Sequence, residues 1–376
     1  MNPPSRSTIA LLALSLLAVS CGPEKESWDV SVSVSELPSA PLDSRQDHSL
    51  LWSGTELLVW GGHGANQHDS FSDGAAYSPE TGSWRTMTEV DLESRTRHSA
   101  VLVEDRMLVW GGFTPSHSGG TEAHLARDGA LYDIRSDSWE PIAPAPEGRS
   151  MARAAVVGEH VVFGGGYSEQ DGEEFLVYSV AEDTWDTVAP GGGGTGFDVY
   201  DMRVLDGAVV AVGGTSQGIA VAAFGMGDTS APVREISGLE GETEELDAYA
   251  GLAVSPAGEI LLAVRGGENA RLYEVDDGGH AELVDELGHA GFRPPVSLLT
   301  HPLDAGRMDF AEGLGLLATA PGEFSMWDAE AGTSYRSSTR DLSDYCGPLE
   351  PVSDGALLGW GGMGCESSGV RVDITA

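Results

Sequence analysis

The chain has 376 residues, of which 51 are glycine, and its formal net charge at pH 7 is −39. Lysine occurs once, at Lys25, so almost all positive charge comes from arginine. A surface this acidic repels nucleic acid and anionic lipid headgroups, which argues against both as partners. It is compatible with divalent cations, with basic partners, or simply with solubility in salty surroundings.

The first 21 residues are typical of an export signal rather than of a folded segment. Arg6 supplies a positive charge, and an apolar stretch from Ile9 to Val19 follows. That stretch is shorter than the roughly 20 residues that a membrane span needs. Small residues directly before Cys21 resemble the lipobox of bacterial lipoproteins, which are cleaved before the cysteine and lipidated on it. The alternative is an ordinary cleaved signal peptide in which Cys21 is incidental.

The lipoprotein resemblance implies a location at the cell envelope. Gly22 rather than Asp follows Cys21, which in Gram-negative lipoproteins favours the outer membrane, with the domain facing either the periplasm or the outside. Residues 22–27 form only a short tether, and no later segment is apolar enough to span a bilayer. We therefore expect a soluble domain, residues 28–376, whose only membrane contact is the N-terminal lipid.

A lone strand is predicted at the start of this domain. From Trp28 to Ser35 apolar and polar residues alternate with period two, which indicates a half-buried strand. Pro38 and Pro41 then end it before the first repeated motif.

One short pattern then recurs: an apolar run rich in Val, Leu and aromatic residues that ends in Gly-Gly. It lies at Leu57–Gly62, Met107–Gly112, His160–Gly165 and Leu357–Gly362. Such a run predicts a buried strand, and the glycine pair predicts a sharp exit from it. The first three copies are followed by a Tyr and, seven positions later, a Trp: Tyr77 and Trp84, Tyr132 and Trp139, Tyr178 and Trp185. Arg-x-x-His-Ser precedes the first two copies, and the third keeps only the arginine, Arg149.

The glycine pair, the spaced Tyr and Trp, and a period near 50 residues together resemble the kelch repeat. In that family each repeat is one four-stranded blade of a β-propeller, so the resemblance implies an all-β propeller. Its Tyr and Trp residues are expected to pack between neighbouring blades.

Counting the units predicts seven blades of kelch type. Units four to six are eroded, and unit seven stops after three strands, so the N-terminal strand is expected to pair into the last blade and close the ring. The predicted blades are about 45–90, 95–143, 149–190, 197–238, 247–287, 307–340, and 345–376 together with 28–37.

Candidate binding residues fall in two groups. Arg45, His48, Arg95, His98 and Arg149 begin the predicted innermost strands and would ring one mouth of the central channel. They could bind an anion, or each arginine could bridge blades or cap backbone carbonyls. The second group lies in the polar loops after the glycine pairs: His63, His68, His117 and His124, with Asp69, Asp73, Asp128, Asp171, Glu169, Glu173 and Glu174. These loops gather on one face of a propeller, where binding residues collect.

No cofactor is predicted. The loop histidines match no known metal-ligand spacing, so they are interpreted as solvated, and no metal site is expected. Cys346 and Cys365 are expected to form a disulfide, because an exported chain should oxidise them. The sequence cannot place the arginine mouth and the histidine loops on one face.

The resemblance implies a monomeric module that binds an unknown protein or glycan at the cell envelope. The alternative is a carbohydrate-active enzyme, because galactose oxidase and the periplasmic sialic acid mutarotase also use kelch propellers. No catalytic residues can be assigned for either activity, and fold alone does not license one.

Overall fold

The structure is a computed structural model. It describes residues 31–66, 69–115, 123–169, 173–191, 196–239, 249–254, 260–266, 269–276, 278–288, 308–311, 315–320, 323–328, 333–338, 347–352, 356–362 and 369–375. Within these ranges the chain forms β-strands and turns and no helix, and so nothing there is a membrane-spanning helix. The predicted signal, Cys21 and the tether lie outside the described residues, as do Cys346 and Cys365.

The strands form a series of antiparallel sheets in chain order, preceded by β1 (Ser31–Glu36). Sheet 1 contains β2 (Ser49–Trp52), β3 (Leu57–Trp60), β4 (Gly74–Ser78) and β5 (Ser83–Thr86). Sheet 2 contains β6 (Ser99–Val103), β7 (Arg106–Trp110), β10 (Gly129–Asp133) and β11 (Ser138–Pro141), with β8 (Phe113–Thr114) and β9 (His124–Leu125) paired in the loop between β7 and β10.

Sheet 3 has the same plan with two additions. It contains β13 (Arg153–Val157), β14 (His160–Gly164), β16 (Phe175–Ser179) and β17 (Thr184–Pro190), while β12 (Arg149–Ser150) pairs with β15 (Tyr167–Ser168) beside it. Sheet 4 contains β18 (Asp198–Leu205), β19 (Ala208–Thr215), β20 (Gly218–Gly225) and β22 (Val233–Glu235); β21 (Ser230–Ala231) instead joins the edge of sheet 3 in parallel.

The remaining sheets complete the chain. Sheet 5 contains β23 (Tyr249–Val254), β24 (Ile260–Gly266), β25 (Asn269–Val275) and β26 (Ala281–Gly288). Sheet 6 contains β27 (Met308–Ala311), β28 (Gly315–Ala320), β29 (Glu323–Asp328) and β30 (Thr333–Ser338). The terminal sheet contains β31 (Leu349–Val352), β32 (Ala356–Trp360) and β33 (Gly369–Thr375), and β1 is its fourth strand.

The hydrophobic core lies between neighbouring sheets. One cluster joins the terminal sheet to sheet 1, through residues such as Trp360 and Leu57. Further clusters join sheets 1 and 2, 2 and 3, 3 and 4, and 4 and 5. Face-to-face packing of successive four-stranded sheets is the architecture of a β-propeller. The prediction of an all-β propeller is therefore confirmed.

The predicted number of blades is not confirmed. Six sheets, the terminal sheet and sheets 1 to 5, have described side chains that pack against a neighbour. Sheet 6 is described only as backbone strands, because its side chains lie outside the described part of the structure. The described chain thus shows six packed blades rather than seven.

The N-terminal strand lies at the edge of the terminal sheet. β1 pairs antiparallel with β33 in a register that runs from Ser31↔Thr375 to Glu36↔Val370. The backbone N–H of Leu37 continues this contact by donating to Gly369 O at 2.8 Å. Closure of a ring also requires sheet 6 to meet the terminal sheet.

In sheets 1 to 3, aromatic side chains link each sheet to the chain segment that directly follows the last strand of the neighbouring sheet. The indole N–H groups of Trp84, Trp139 and Trp185 donate to the carbonyls of Pro38, Thr88 and Ala143, each at 2.8 Å. Each indole also packs against the Tyr of its own sheet, at 4.9–5.2 Å between ring centroids. The spaced Tyr and Trp therefore hold blades together.

A carboxylate completes the clamp in sheets 2 and 3. Asp183 accepts hydrogen bonds from the Tyr178 hydroxyl at 2.8 Å and from the Ala143 backbone N–H at 2.7 Å. Asp137 does the same with Tyr132 and Thr88. Both aspartates have positive φ, 50° and 51°. Sheet 1 has Gly82 at this position, with φ 61°, so its clamp has no such carboxylate.

This difference gives a matched test of the clamp. Tyr178→Phe removes the hydroxyl that Asp183 binds, and we expect it to lower the free energy of unfolding by about 1–2 kcal/mol. Tyr77→Phe makes the same change opposite Gly82 and should cost clearly less. Chemical denaturation of both variants measures this. Equal losses would show that the Tyr–Asp contact does not contribute.

Candidate binding face

The antiparallel order of the strands brings both groups of candidate residues to one face. The start of each first strand, the end of the second and the start of the third meet there. Gln46 and His63, for example, exchange two backbone hydrogen bonds of 2.9 Å. We call this the loop face; it comprises the described residues of 37–48, 87–98 and 142–152 and of the loops 61–73, 111–128 and 165–174. The sequence alone did not decide whether the repeated arginines and the loop histidines lie on the same face.

The three repeated arginines are buried beneath the loop face. Arg45 donates from Nη1 to Gly61 O at 3.1 Å and to Asp73 Oδ1 at 2.7 Å, and its guanidinium lies 4.0 Å from the centre of the Phe71 ring. Arg95 donates to Gly111 O at 3.2 Å and lies 2.9 Å from Asp128 Oδ1.

Arg149 follows the same plan with one change of partner. It donates to Gly165 O at 3.4 Å and to Glu174 O at 2.6 Å, while Glu147 supplies the carboxylate. All three arginines therefore cap the carbonyls at the end of the second strand. Capping of backbone carbonyls is one of the two roles that the sequence allows for these arginines, and anion binding stays a prediction.

The repeated histidines are buried as well, each against the preceding sheet. The Nε2 atom of His48 lies 3.0 Å from Trp360 O, and its ring packs edge-on against Trp360. His98 packs in the same way against Trp60, with 5.0 Å between ring centroids. Burial, with a smaller contribution from the adjacent arginine, lowers the pKa of His48 to about 4 and that of His98 to about 3. Both rings are therefore neutral at pH 7.

The glycine pairs make this packing possible. A Cβ on Gly61 would lie 2.7 Å from Cε1 of His98, and one on Gly361 would lie 2.7 Å from Cε1 of His48. Their partners in each pair, Gly62 and Gly362, donate backbone N–H groups to Arg95 O at 2.9 Å and Arg45 O at 3.0 Å. We call this unit the glycine latch: a Gly-Gly pair that is covered by the Arg carbonyl and the His ring of the next sheet.

The third latch lacks a histidine, as the sequence indicates, and the glycine pair of sheet 3 is shifted by one residue. Gly111 and Gly112 meet Arg149, since Gly112 N donates to Arg149 O at 2.7 Å, but Ala152 stands where a histidine would. In sheet 3 itself the pair with positive φ is Gly165–Gly166, with φ 64° and 78°, one residue later than predicted. Gly164 instead ends the strand β14.

A collar of backbone hydrogen bonds links the first three sheets at this face. Asp47, Arg97 and Met151 lie two residues after the repeated arginines and all have positive φ, between 57° and 61°. Arg97 N donates to Asp47 O at 3.2 Å, and Met151 N donates to Arg97 O at 2.8 Å. Aspartate tolerates a left-handed backbone better than most residues, but arginine and methionine do not, so the sequence contains no consistent signal for the collar.

The loop histidines have different environments. His63 is buried, with Nε2 3.0 Å from Asp47 Oδ2 and Nδ1 2.7 Å from Gly64 O, so both ring nitrogens face oxygen acceptors. His124 is about half exposed and lies 3.5 Å from Glu93 Oε2. His68 and His117 lie outside the described residues. In the described ranges, no group of three or more His, Cys, Asp or Glu side chains is arranged to hold a metal ion.

One exposed side chain on the loop face was not singled out from the sequence. Tyr167, in β15, has 61% of its surface exposed, and Leu283 in β26 is the only other exposed large hydrophobic residue in the described chain. Tyr167 comes directly after three consecutive glycines, residues 164–166. That position is the sequence feature that could have indicated an aromatic side chain exposed on a loop.

The fold and the repeated latches define the class of protein, a kelch propeller. The family model described as the KLHDC2/KLHL20/DRC7 Kelch-repeats domain matches residues 19–214, which is more than half of the chain. The chain therefore belongs to the kelch-repeat family. No curated protein matches the sequence.

The buried histidines predict a dependence of stability on pH. Their folded-state pKa values lie below the ordinary value of 6.5, so they contribute stability above pH 6.5, and this is lost as pH falls towards 4. The slope should be roughly 1.4 kcal/mol per pH unit for each histidine. His98→Asn should flatten the pH profile of the unfolding free energy between pH 6.5 and 5. The exposed His124 is the control, and an equal change in His124→Asn would contradict the assignment.

Proposed function

We propose that this protein is an exported, lipid-anchored kelch propeller of seven blades that binds a protein or glycan partner at the bacterial cell envelope. The kelch propeller fold suggests a protein-binding module. We place the binding site on the loop face, because the loops that follow the second strands are longest in sheets 1 to 3. These loops present exposed polar and aromatic side chains.

The interior of the loop face supports a role in binding rather than catalysis. Its buried arginines and histidines are engaged in holding strands and blades together. A rigid base of this kind leaves exposed loop residues free to vary in chemistry while their positions stay fixed. The site of contact is therefore proposed on the exposed loop residues, not on the arginines.

Export and anchoring rest on the N-terminal sequence alone. A charged start, a short apolar core and small residues before Cys21 support a lipoprotein signal, and Gly22 supports sorting to the outer membrane. In an oxidising compartment the pairing of Cys346 with Cys365 follows from the same proposal.

Closure into seven blades rests on two observations. Sheet 6 is a four-stranded antiparallel sheet in the same order as the others, and β1 supplies the outer strand of the terminal sheet. A ring that pairs its first and last strands leaves no open edge between the termini.

Removing the N-terminal strand tests closure. A protein that lacks residues 22–37 should melt well below the parent or aggregate, because β33 would become an exposed edge. A matched protein that lacks only residues 22–27 should melt like the parent. Thermal melts followed by circular dichroism decide this, and identical curves for both deletions would exclude a structural role of the strand.

Binding at the loop face is tested in cells that export the full chain. A photo-crosslinking amino acid at Asn66 or Asp91, both exposed on the loop face, should form adducts with a partner. The same group at Glu80 or Asp105, on the turns of the opposite face, is the matched control. Adducts confined to the control positions would overturn the proposal, and a Cys21→Ala protein that stays in the membrane fraction would refute anchoring through that residue.

A further inference from the structure

The loops that follow the second strands of sheets 1 and 2 begin with the same backbone contact but carry different side chains there. Gln46 and His63 exchange two N–H···O bonds of 2.9 Å, and Thr96 and Phe113 exchange bonds of 3.1 and 2.8 Å. In sheet 3, Tyr167 takes this position in the ladder of β12 and β15. Among these three sheets, only sheet 1 therefore has an imidazole at the base of its loop.

The His63 ring is buried between two oxygen acceptors. Its Nδ1 atom lies 2.7 Å from Gly64 O, and its Nε2 atom lies 3.0 Å from Asp47 Oδ2. The side chains of His63 and Asp47 are only 1% and 6% exposed, so little water reaches either group. A ring nitrogen that donates to an oxygen must carry a hydrogen, and only the imidazolium form carries hydrogens on both nitrogens.

The contacts of Asp47 place the proton on the histidine. Arg97 Nε donates to the same Oδ2 atom at 3.2 Å, and an oxygen that faces both a guanidinium and an imidazole is stabilised as a carboxylate. The side-chain amide of Gln46 lies 3.5 Å from His63 Nδ1 and competes weakly with Gly64 O at 2.7 Å. The arrangement thus fits a doubly protonated His63 that pairs with an ionised Asp47.

Other ionisable groups surround this pair on the loop itself and on the segments that lead into sheets 1 and 2. They are Asp69 and Asp73 on the loop, Arg45 and His48 before β2, and Arg97 and His98 before β6. Asp73 pairs with Arg45 at 2.7 Å. Burial lowers the pKa of His48 to about 4 and that of His98 to about 3, so neither ring changes charge in the range in which histidine ordinarily titrates.

The pair fixes the base of the sheet 1 loop, residues 61–66 and 69–73. Phe71 in this loop donates its backbone N–H to Gly62 O at 2.8 Å and accepts from Arg95 N at 3.1 Å, and its ring lies 4.0 Å from the Arg45 guanidinium. Loss of one proton from His63 would leave a ring nitrogen lone pair facing an oxygen in a buried site. Such a contact is unfavourable, so the loop base would open more readily.

We propose that His63 and Asp47 form a pH-sensitive anchor, which holds the base of this loop while the imidazole carries both protons and loosens it when one is lost. The stabilisation is complete at low pH and falls as the pH rises, which is opposite to the effect of the two neutral histidines. The anchor controls how rigidly sheet 1 presents its part of the loop face, including the exposed Asn66. It operates whether or not a partner is bound there.

Amide hydrogen exchange of the full-length protein, followed by NMR, tests the anchor against an internal reference. The amides of His63 and Phe71 in sheet 1 and those of Phe113 and Ala126 in sheet 2 make equivalent backbone hydrogen bonds. The ratio of their protection factors cancels the intrinsic dependence of exchange on pH. Between about pH 5.5 and about pH 9 the ratio of sheet 1 to sheet 2 should fall by about tenfold, the scale of one hydrogen bond to a charged group.

Two substitutions in the anchor and one outside it complete the test. Asp47→Asn removes the charge and keeps a residue type that tolerates the positive φ of 57° at this position. His63→Phe gives sheet 1 the residue that sheet 2 has. Both should abolish the pH dependence of the ratio, and Asp47→Asn should lower protection at low pH to about the high-pH value of the parent. His124→Asn, at the half-exposed histidine of the reference loop, should leave the dependence unchanged.

Three results would overturn the inference. They are a ratio that stays constant, a ratio that rises with pH, and a fall with pH that persists in His63→Phe. If Asp47→Asn does not fold, the parent and His63→Phe still decide between these outcomes. Crosslinking at Asn66 and Asp91 tests the proposed function separately, so a failed anchor leaves that function standing, and absent crosslinks leave the anchor standing.

Discussion

The glycine latch is the contact on which the arrangement of the first blades depends. A Gly-Gly pair leaves one sheet with positive φ, and the backbone carbonyl and imidazole of the next sheet lie where side chains would otherwise be. Any Cβ at Gly61 would come within 2.7 Å of the His98 ring, so only glycine allows the sheets to approach this closely. Because the latch joins one repeat to the next, the blades stabilise each other in series.

The arginines show how buried charge is used in this setting. Each guanidinium donates to a carbonyl at the end of a strand and pairs with a carboxylate, so its buried charge is balanced within the fold. The histidines beside them are neutral, since burial and the adjacent cation both disfavour a second positive charge. The repeated arginines and histidines suggest an anion site in the linear sequence, but in the structure they contact other parts of the fold.

Repeats with the same plan can still present different chemistry. In sheet 3, Glu147 supplies the carboxylate that pairs with Arg149, and Glu174 meets the guanidinium through its backbone carbonyl at 2.6 Å. Beside the same sheet, Tyr167 pairs with Ser150 through the backbone and is 61% exposed. The capping of the strand end is thus retained, while the carboxylate that pairs with the arginine comes from a different segment of the chain.

The sequence alone determined the class of fold and the role of its aromatic residues. The Gly-Gly strands and the spaced Tyr and Trp indicate kelch blades because each motif corresponds to a local requirement, a left-handed turn or a clamp between sheets. The position of the N-terminal strand beside β33 also followed, since three strands at the C-terminus lacked a fourth. These features can be predicted from the sequence because the same local pattern recurs in several repeats.

Only the tertiary structure decided what the candidate residues contact. Arg45 and Arg95 lie shortly before the first strands of their sheets, and antiparallel pairing places them under the loops that follow the second strands, where carbonyls and carboxylates surround them. The collar of Asp47, Arg97 and Met151 depends on hydrogen bonds between residues about 50 positions apart, and the exposure of Tyr167 depends on its pairing with β12. Such contacts depend on packing between blades, and a short stretch of sequence does not contain that information.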